Sequence, residues 1–186
     1  MTTDALVGAA VRGDPKAVDE VLRWIGPLVV RYCRTRVGRQ EKTFASADDV
    51  AQEVCLAVLT ALPSYRDQGR PFLAFVYGIA AHKVADALRS AARNRTEPVP
   101  EIPDSAIQGD NPEQRVMQAE LAERMSTLLG TLPDKQREIL ILRVVTGLSA
   151  KETAEAVGST PGAIRVAQHR ALGHLRKVLS APAERS

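Results

Sequence analysis

The sequence predicts an all-α protein: two small helical domains joined by an acidic, proline-containing linker. Three observations predict it. No segment alternates apolar and polar residues with period two over a strand's length, whereas apolar residues recur at helical spacing through most of the chain. Aromatics are only 4 % of the 186 residues, against abundant alanine and leucine, which suits closely packed helices better than sheets. Between Arg95 and Pro112 the periodicity stops, in TEPVPEIPDSAIQGDN, which carries Pro98, Pro100, Pro103 and Gly109. Its charges are Glu97, Glu101, Asp104 and Asp110, with no lysine or arginine. A stretch of this kind reads as an extended tether. The expected organisation is a domain over 1–95, a linker over 96–111 and a second domain over 112–186, with the spacing between the domains left unfixed.

Helix starts are marked in two ways. Asp14-Pro15, Asn111-Pro112, Leu132-Pro133 and Thr160-Pro161 place proline at a first helical position, where its missing N–H would be unpaired anyway. Ser46 with Asp49, and Ser149 with Glu152, have the spacing of a capping box. Together with the apolar spacing they predict helices over 3–12, 15–37, 47–62, 71–94, 112–130, 133–145, 150–157 and 161–179. Pro27 falls inside the second and should kink or split it.

Composition excludes several function classes. Apolar residues are 45 % of the chain, enough for real cores, and the formal charge is +3, a mild bias toward an anionic partner. Cys33 and Cys55 have no paired spacing, so they read as reduced thiols rather than a disulfide framework or zinc cage. No signal peptide and no apolar run of about 18 residues is present, so the expectation is a cytoplasmic protein without membrane insertion. There is no Gly-rich phosphate loop, no Ser/His/Asp order and no metal-ligand motif; His82, His169 and His174 lack a partner constellation. An enzyme is not expected, nor a cofactor or metal.

The most informative segment is SAKETAEAVGSTPGAIRVAQHRALGHLRKVL. A short capped helix meets Gly158, a left-handed helix terminator, and Pro161 opens another helix three residues on. This is a helix-turn-helix. At about 100° per residue, Ile164, Ala167, Ala171, Leu175 and Val178 gather on one face of the second helix. Arg165, His169, Arg170, Arg176 and Lys177 gather opposite, and no acidic residue occurs from Ser159 to Lys177. A phosphate backbone selects such a face, because each cation that contacts it releases condensed counterions. Arg165 and His169 lie near the helix start, where base edges are reached; Arg176 and Lys177 are placed for phosphates. The helix start at Ser159 and Thr160 offers free N–H groups to another phosphate. The helix over 133–145 is apolar on several faces and should centre this domain.

In the first domain SADDVAQEVCLAVLTAL puts Asp48, Asp49 and Glu53 in two helical turns, with no cation between Ser46 and Tyr65. Part of this is capping of the helix dipole, yet Asp49, Gln52 and Glu53 share a face suited to docking a protein. The next helix carries Phe72, Phe75 and Tyr77 early and Lys83, Arg89, Arg93 and Arg95 late, the parts needed to hold unstacked bases and their backbone. Phe72, Phe75, Val76 and Ile79 also follow helical spacing and are mostly core. Tyr65, Arg66 and Arg70, in the loop before it, are freer.

These residues together resemble the extracytoplasmic-function (ECF) family of sigma factors, group 4 of the sigma-70 family. DDVAQEVCLAVLTAL resembles the helix that binds core polymerase, and RPFLAFVYGIAAHKVADALR the one that serves the −10 element. LPDKQREILILRVVTGLSAKETAEAVGSTPGAIRVAQHRAL resembles the domain that reads the −35 element. The wording DDVAQEVCLA, AAHKVADA and RVAQHRAL is similar to the actinobacterial sigma-D type. The resemblance implies a region 2 domain over 1–95 and a region 4 domain over 112–186. It implies as partners core RNA polymerase, through its β′ clamp helices and β flap, promoter DNA and an anti-sigma factor. Asp48, Asp49, Gln52 and Glu53 would meet the clamp helices. The loop from Ser64 to Arg70 would capture a flipped −10 base, with His82, Lys83, Arg89 and Arg93 along the melted strand. Ser159, Thr160, Arg165, His169, Arg170, Arg176 and Lys177 would hold the −35 duplex, and the linker would lie in the RNA exit channel. His82 stands where many relatives have asparagine, and Val166-Ala167-Gln168 where many have Ser-Arg-Leu, both at positions expected to face DNA. The rival reading is an autonomous helix-turn-helix operator-binding regulator, which explains 133–179 but leaves the first domain without a task.

Overall fold

The computed structural model describes residues 2–37, 46–67, 69–94 and 112–180; the acidic linker, with Glu97, Glu101, Asp104 and Asp110, lies outside them. The described residues form helices and turns and no strand. In order they are α1 (Thr3–Val11), α2 (Pro15–Val37), α3 (Ala47–Ala61), a 3₁₀ turn (Leu62–Ser64), α4 (Phe72–Asn94) and α5 (Pro112–Gly130). There follow α6 (Asp134–Leu140), a π-helical turn (Ile141–Val145), α7 (Ala150–Val157) and α8 (Pro161–Ser180).

Local chemistry accounts for the starts and stops. Asp14 caps α2, its Oδ1 accepting from the N–H of Lys16 at 2.9 Å and of Ala17 at 3.3 Å. Both capping boxes form, Ser46 with Asp49 and Ser149 with Glu152. Gly158 ends α7 at φ 63, the left-handed conformation that lets its neighbour turn into α8.

Two expectations change. Pro27 does not split α2, which runs unbroken from Pro15 to Val37. Proline removes one backbone hydrogen bond there, but Val21, Ile25, Val29, Tyr32 and Cys33 form a continuous stripe at 0 % exposure on both sides of it. Each such side chain contributes about 1.5–3 kcal/mol when buried, so packing outweighs the local defect. The helix expected over 133–145 instead widens after Leu140: the Thr146 N–H reaches back five residues to the Ile141 carbonyl at 3.1 Å. The wider turn leaves Ile139, Leu140, Ile141 and Leu142 all buried.

The two helical units are both present, but they are packed against each other rather than standing apart on a tether. One cluster of buried residues runs from α2, α3 and α4 into Leu140, Ile141, Leu142 and Leu148. A polar clamp sits beside it. Glu138 of α6 places Oε2 2.7 Å from Arg36 Nε, with both side chains only 13 % exposed. Its Oε1 accepts from the Tyr32 hydroxyl at 2.5 Å. Arg31 Nη1 donates to the Val145 carbonyl at 3.5 Å, and Arg70 Nε lies 3.4 Å from Glu155 Oε2 of α7. Burial, and then the neighbouring Glu138 carboxylate, hold the Tyr32 hydroxyl well above the usual tyrosine range.

Both cysteines are free. Burial, and then Cys55 and Asp48 nearby, push the Cys33 thiol up to about 12, so it stays neutral in the folded chain. Its contribution to stability is full below about pH 8.5, where the unfolded thiol ionises, and is lost as pH rises toward the folded value. At pH 8 iodoacetamide should therefore leave Cys33 unmodified in the native chain and alkylate it in guanidinium. Peptide mass spectrometry reads this directly, and native alkylation of Cys33 would contradict the packing of α2.

Candidate polymerase and nucleic-acid surfaces

Four acidic or amide side chains of α3 were expected to meet the polymerase, three of them (Asp49, Gln52 and Glu53) on one face, and the structure separates them by what already holds them. Asp48 accepts from Arg34 Nε at 2.8 Å and Nη2 at 2.9 Å, a bidentate pair that lowers the carboxyl below its ordinary range. Asp49 is occupied by the cap: its Oδ2 accepts from the Ser46 N–H at 3.0 Å and the Ser46 hydroxyl at 2.9 Å. Glu53 Oε2 lies 3.5 Å from Lys83 Nζ, so a polymerase-facing and a DNA-facing residue of the sequence reading are neighbours. Gln52 is exposed. Leu56 stands one turn along the same face at 63 % exposure, a large apolar side chain that the sequence reading did not single out. Its distance of four residues from Gln52 is the signal that would have found it.

The loop before α4 is built on an aromatic floor. The Tyr65 ring meets Phe72 edge-on at 5.3 Å and Phe75 at 5.0 Å, and its hydroxyl donates to the Arg70 carbonyl at 2.9 Å. Tyr65 is thus partly packed rather than free, and burial raises its pKa, with Asp67 and Asp4 adding to it. Arg66 is exposed and donates to the Pro63 and Tyr65 carbonyls, both at 3.2 Å. Gly69 takes φ 74, and its N–H donates to Asp67 Oδ1 at 3.0 Å, which closes the turn. A cavity of about 490 Å³ opens between this loop and α1, lined by Asp4 and Arg12 on one side and Tyr65, Arg66, Arg70 and Phe72 on the other. The sequence reading missed α1 as a wall of this site, because only the tertiary fold brings it there.

Along α4, His82, Arg89 and Arg93 are exposed and follow one helical face, while Lys83 is half-buried. Arg89 pairs with Asp86 on that face. Tyr77, by contrast, is buried at 1 % exposure and packs edge-on against Tyr32 at 5.4 Å, so it belongs to the core.

On α8, Ile164 and Ala171 are fully buried and Ala167, Leu175 and Val178 half-buried, which is the expected inner stripe. Arg165, His169, Arg170, Arg176 and Lys177 are all exposed. None of their side chains makes an ion pair or hydrogen bond among the described residues. The Thr160 hydroxyl accepts from the Ala163 N–H at 3.2 Å and so caps the helix; Ser159 is half-buried beside it. Gln168 turns inward rather than toward DNA: its Oε1 accepts from Arg143 Nε at 2.9 Å. Arg143 also bonds the Leu148 carbonyl, fixing α8 to the turn before α7. His174 Nε2 lies 3.2 Å from Thr131 Oγ1.

Two family models match this chain. The family model described as Sigma-70 region 2 matches residues 23–94, and that described as Sigma-70, region 4 matches residues 122–175. The ECF RNA polymerase sigma factor SigD of Mycobacterium tuberculosis is 64 % identical over 173 residues, 93 % of this chain and 82 % of that protein. The ECF RNA polymerase sigma factor ShbA of Streptomyces griseus is 48 % identical over 181 residues, 92 % of each chain. Among solved structures, CnrH in complex with the cytosolic domain of CnrY superposes at a TM-score of 0.71 and 23 % identity, covering 96 % of this chain and 97 % of that one. That likeness is one of fold.

Proposed function

From the premise that this chain belongs to the ECF RNA polymerase sigma factors of the sigma-70 family, we propose how its own residues divide the work. The chain directs promoter recognition in transcription initiation; its family consists of non-enzymatic initiation factors, and we read it as without catalytic activity. The domains in this reading are 1–95 for core polymerase and the −10 element and 112–186 for the −35 element, with 96–111 between them. The described residues contain no helix long and apolar enough to cross a membrane, and the proposed place of action is the cytoplasm, with core polymerase.

One observation carries the reading of the second domain: four cations, Arg165, Arg170, Arg176 and Lys177, and the imidazole of His169 stand exposed on α8 without a partner among the described residues. Several cations of the first domain are instead held by carboxylates, as Arg34 is by Asp48 and Arg89 by Asp86. A row of unpartnered cations on the second helix of a helix-turn-helix supports duplex DNA as the missing partner. Arg165 and His169 then reach base edges, Arg170, Arg176 and Lys177 take phosphates, and Ser159 and Thr160 set the helix start against the backbone.

For the −10 element, the cavity between α1 and the loop is roomy enough for one base, with Tyr65 and Phe72 as its apolar floor and Arg66 and Arg70 at its mouth. Asp4, whose carboxylate is an acceptor only, would favour a base that presents an exocyclic amine. His82, Lys83, Arg89 and Arg93 follow the unpaired strand along α4. For core polymerase, Gln52, Leu56 and the loosely paired Glu53 form the available part of the α3 face. Asp48 and Asp49 act mainly through the helix they hold in place. The remaining partner in this reading is an anti-sigma factor, as the family implies.

Three measurements test this division. Glu53→Lys should abolish co-purification with core polymerase at unchanged helicity, whereas Asp49→Ala should lose about 1 kcal/mol of stability through its cap, read by urea denaturation. A Glu53→Lys chain that still co-purifies sinks the docking face. Arg165→Ala should weaken promoter binding by about 1–3 kcal/mol and relax preference at one position, while Lys177→Ala weakens all sequences alike and lowers the salt slope by about one. Uniform loss in both would make Arg165 a phosphate contact. Finally, permanganate footprinting of promoter DNA should give reactive thymines near −10 only when chain and core are both present. If the free chain binds one duplex at nanomolar strength and core adds nothing, the autonomous operator-binding regulator replaces this reading.

A further inference from the structure

We propose that Val166 is a specificity-determining residue of α8, reading the C5-methyl group of one thymine in the major groove of the −35 duplex. This role rests on the reading of α8 as the DNA-binding helix and adds to it a contact of a different chemical kind. Val166 is 51 % exposed, and from Pro161 to Lys177 it is the one large hydrophobic side chain left exposed. At about 100° per residue it stands about 160° around the helix from Ile164, which is fully buried. Arg165 and Arg176 lie to one side of it, Arg170 and Lys177 to the other, and His169 stands one turn on. An α-helix about 10–12 Å across fills a major groove about 12 Å wide, so the middle of the outward face meets base edges while its flanks lie nearer the two backbones. Arg165, long and adjacent in sequence, still reaches in from the flank.

The same middle line carries Gly162, one turn before Val166, and Gly173, two turns after it. A Cβ at either position would meet nothing within 4 Å, so the fold of the free chain does not require glycine there. Glycine weakens a helix relative to alanine. Bare backbone on this line lets α8 lie close against a surface outside the chain, with Val166 as the apolar side chain that projects from it. Its direction is fixed from behind: Ile164 sits in the small core with Ile139, Ala150 and Ala154, and Gln168 Oε1 accepts from Arg143 Nε at 2.9 Å. Valine has neither donor nor acceptor, so it cannot read a hydrogen-bonding edge. Of the groups the major groove presents, the thymine methyl alone is apolar. A polar edge pressed beneath Val166 would lose water without gaining a partner, so the contact favours thymine and disfavours cytosine at the same place.

The test uses holoenzyme assembled from core polymerase and the full chain, on the −35 element it selects from randomised duplexes. Replacing each thymine of that element in turn, on either strand, by deoxyuridine keeps every hydrogen bond and removes only the methyl. One such position should lose about fourfold in affinity, the worth of one buried methyl. Val166→Ala should weaken binding of the thymine duplex by a similar factor and abolish the uracil penalty at that position alone. Because the side chain is exposed in the free chain, this variant should keep its helicity and thermal unfolding, read by circular dichroism. A penalty that persists in Val166→Ala, or an element in which no thymine carries a penalty, overturns the proposal. Lys177→Ala in the same assay reports on α8 itself. If it weakens binding while the Val166 result fails, the thymine contact alone is refuted; if it too has no effect, the assignment of α8 to the −35 duplex falls with it.

Discussion

The constraint on which the rest of this structure depends is the carboxylate of Glu138. It is the point where two helical units, separable by sequence, become one body. Its oxygens meet Arg36 Nε at 2.7 Å and the Tyr32 hydroxyl at 2.5 Å, in surroundings with little water. A lone buried carboxylate would be strongly unfavourable, and so would a lone buried guanidinium. The pair therefore defines a single docking pose: sliding the second unit by one helical turn would leave two charges without partners. Apolar contact around Ile141 and Leu142 supplies attraction but little direction. The clamp supplies the direction.

The surfaces differ in how their charges are spent. On α3 the acidic groups are largely engaged by the fold, Asp48 in an ion pair with Arg34 and Asp49 in the cap with Ser46, so a face that looks acidic in sequence has few carboxylate oxygens left for a partner. What remains for a partner is Gln52, a loosely paired Glu53 and the exposed Leu56, a mixed patch of the kind whose apolar centre carries most of an interface's energy. On α8 the reverse holds. No carboxylate occurs on the helix, and the single polar residue that turns inward, Gln168, is neutral and held by Arg143. Charge composition alone does not separate these two cases; the ion-pair pattern does.

Much of the fold was legible because it is decided locally. Capping boxes at Ser46 and Ser149, proline at first helical turns and the left-handed Gly158 each act within four residues, and each gave a helix boundary that the structure keeps to within a residue or two. The inner stripe of α8 was legible for the same reason, since helical periodicity fixes it. What was not legible is non-local. Arg36 and Glu138 are far apart in the chain, and neither has a sequence neighbour that marks it as buried. The base cavity needs α1 opposite the Tyr65 loop, a meeting of segments some sixty residues apart. Pro27 misled because a local rule was applied where the apolar stripe of α2 overrides it. The π turn misled because the run EILILRVV carries too many apolar residues for one ideal helical face, and the backbone widened to bury four in succession.

The helix-turn-helix keeps a small core of its own, formed by Ile139, Ala150, Ala154 and Ile164, distinct from the large cluster that spans both units. These side chains set the crossing of α7 on α8, and Arg143 locks the turn between α6 and α7 by bonding Gln168 and the Leu148 carbonyl. The DNA-reading geometry is thus fixed by contacts internal to the second unit. The clamp residue Glu138 lies on α6, whose next residue, Ile139, faces that internal core. The aim of the recognition helix therefore rests on residues of the second unit, one position along α6 from the contact with the first. Adjacent positions of one helix thus serve two contacts, Glu138 the first unit and Ile139 the core that preorganises the helix-turn-helix.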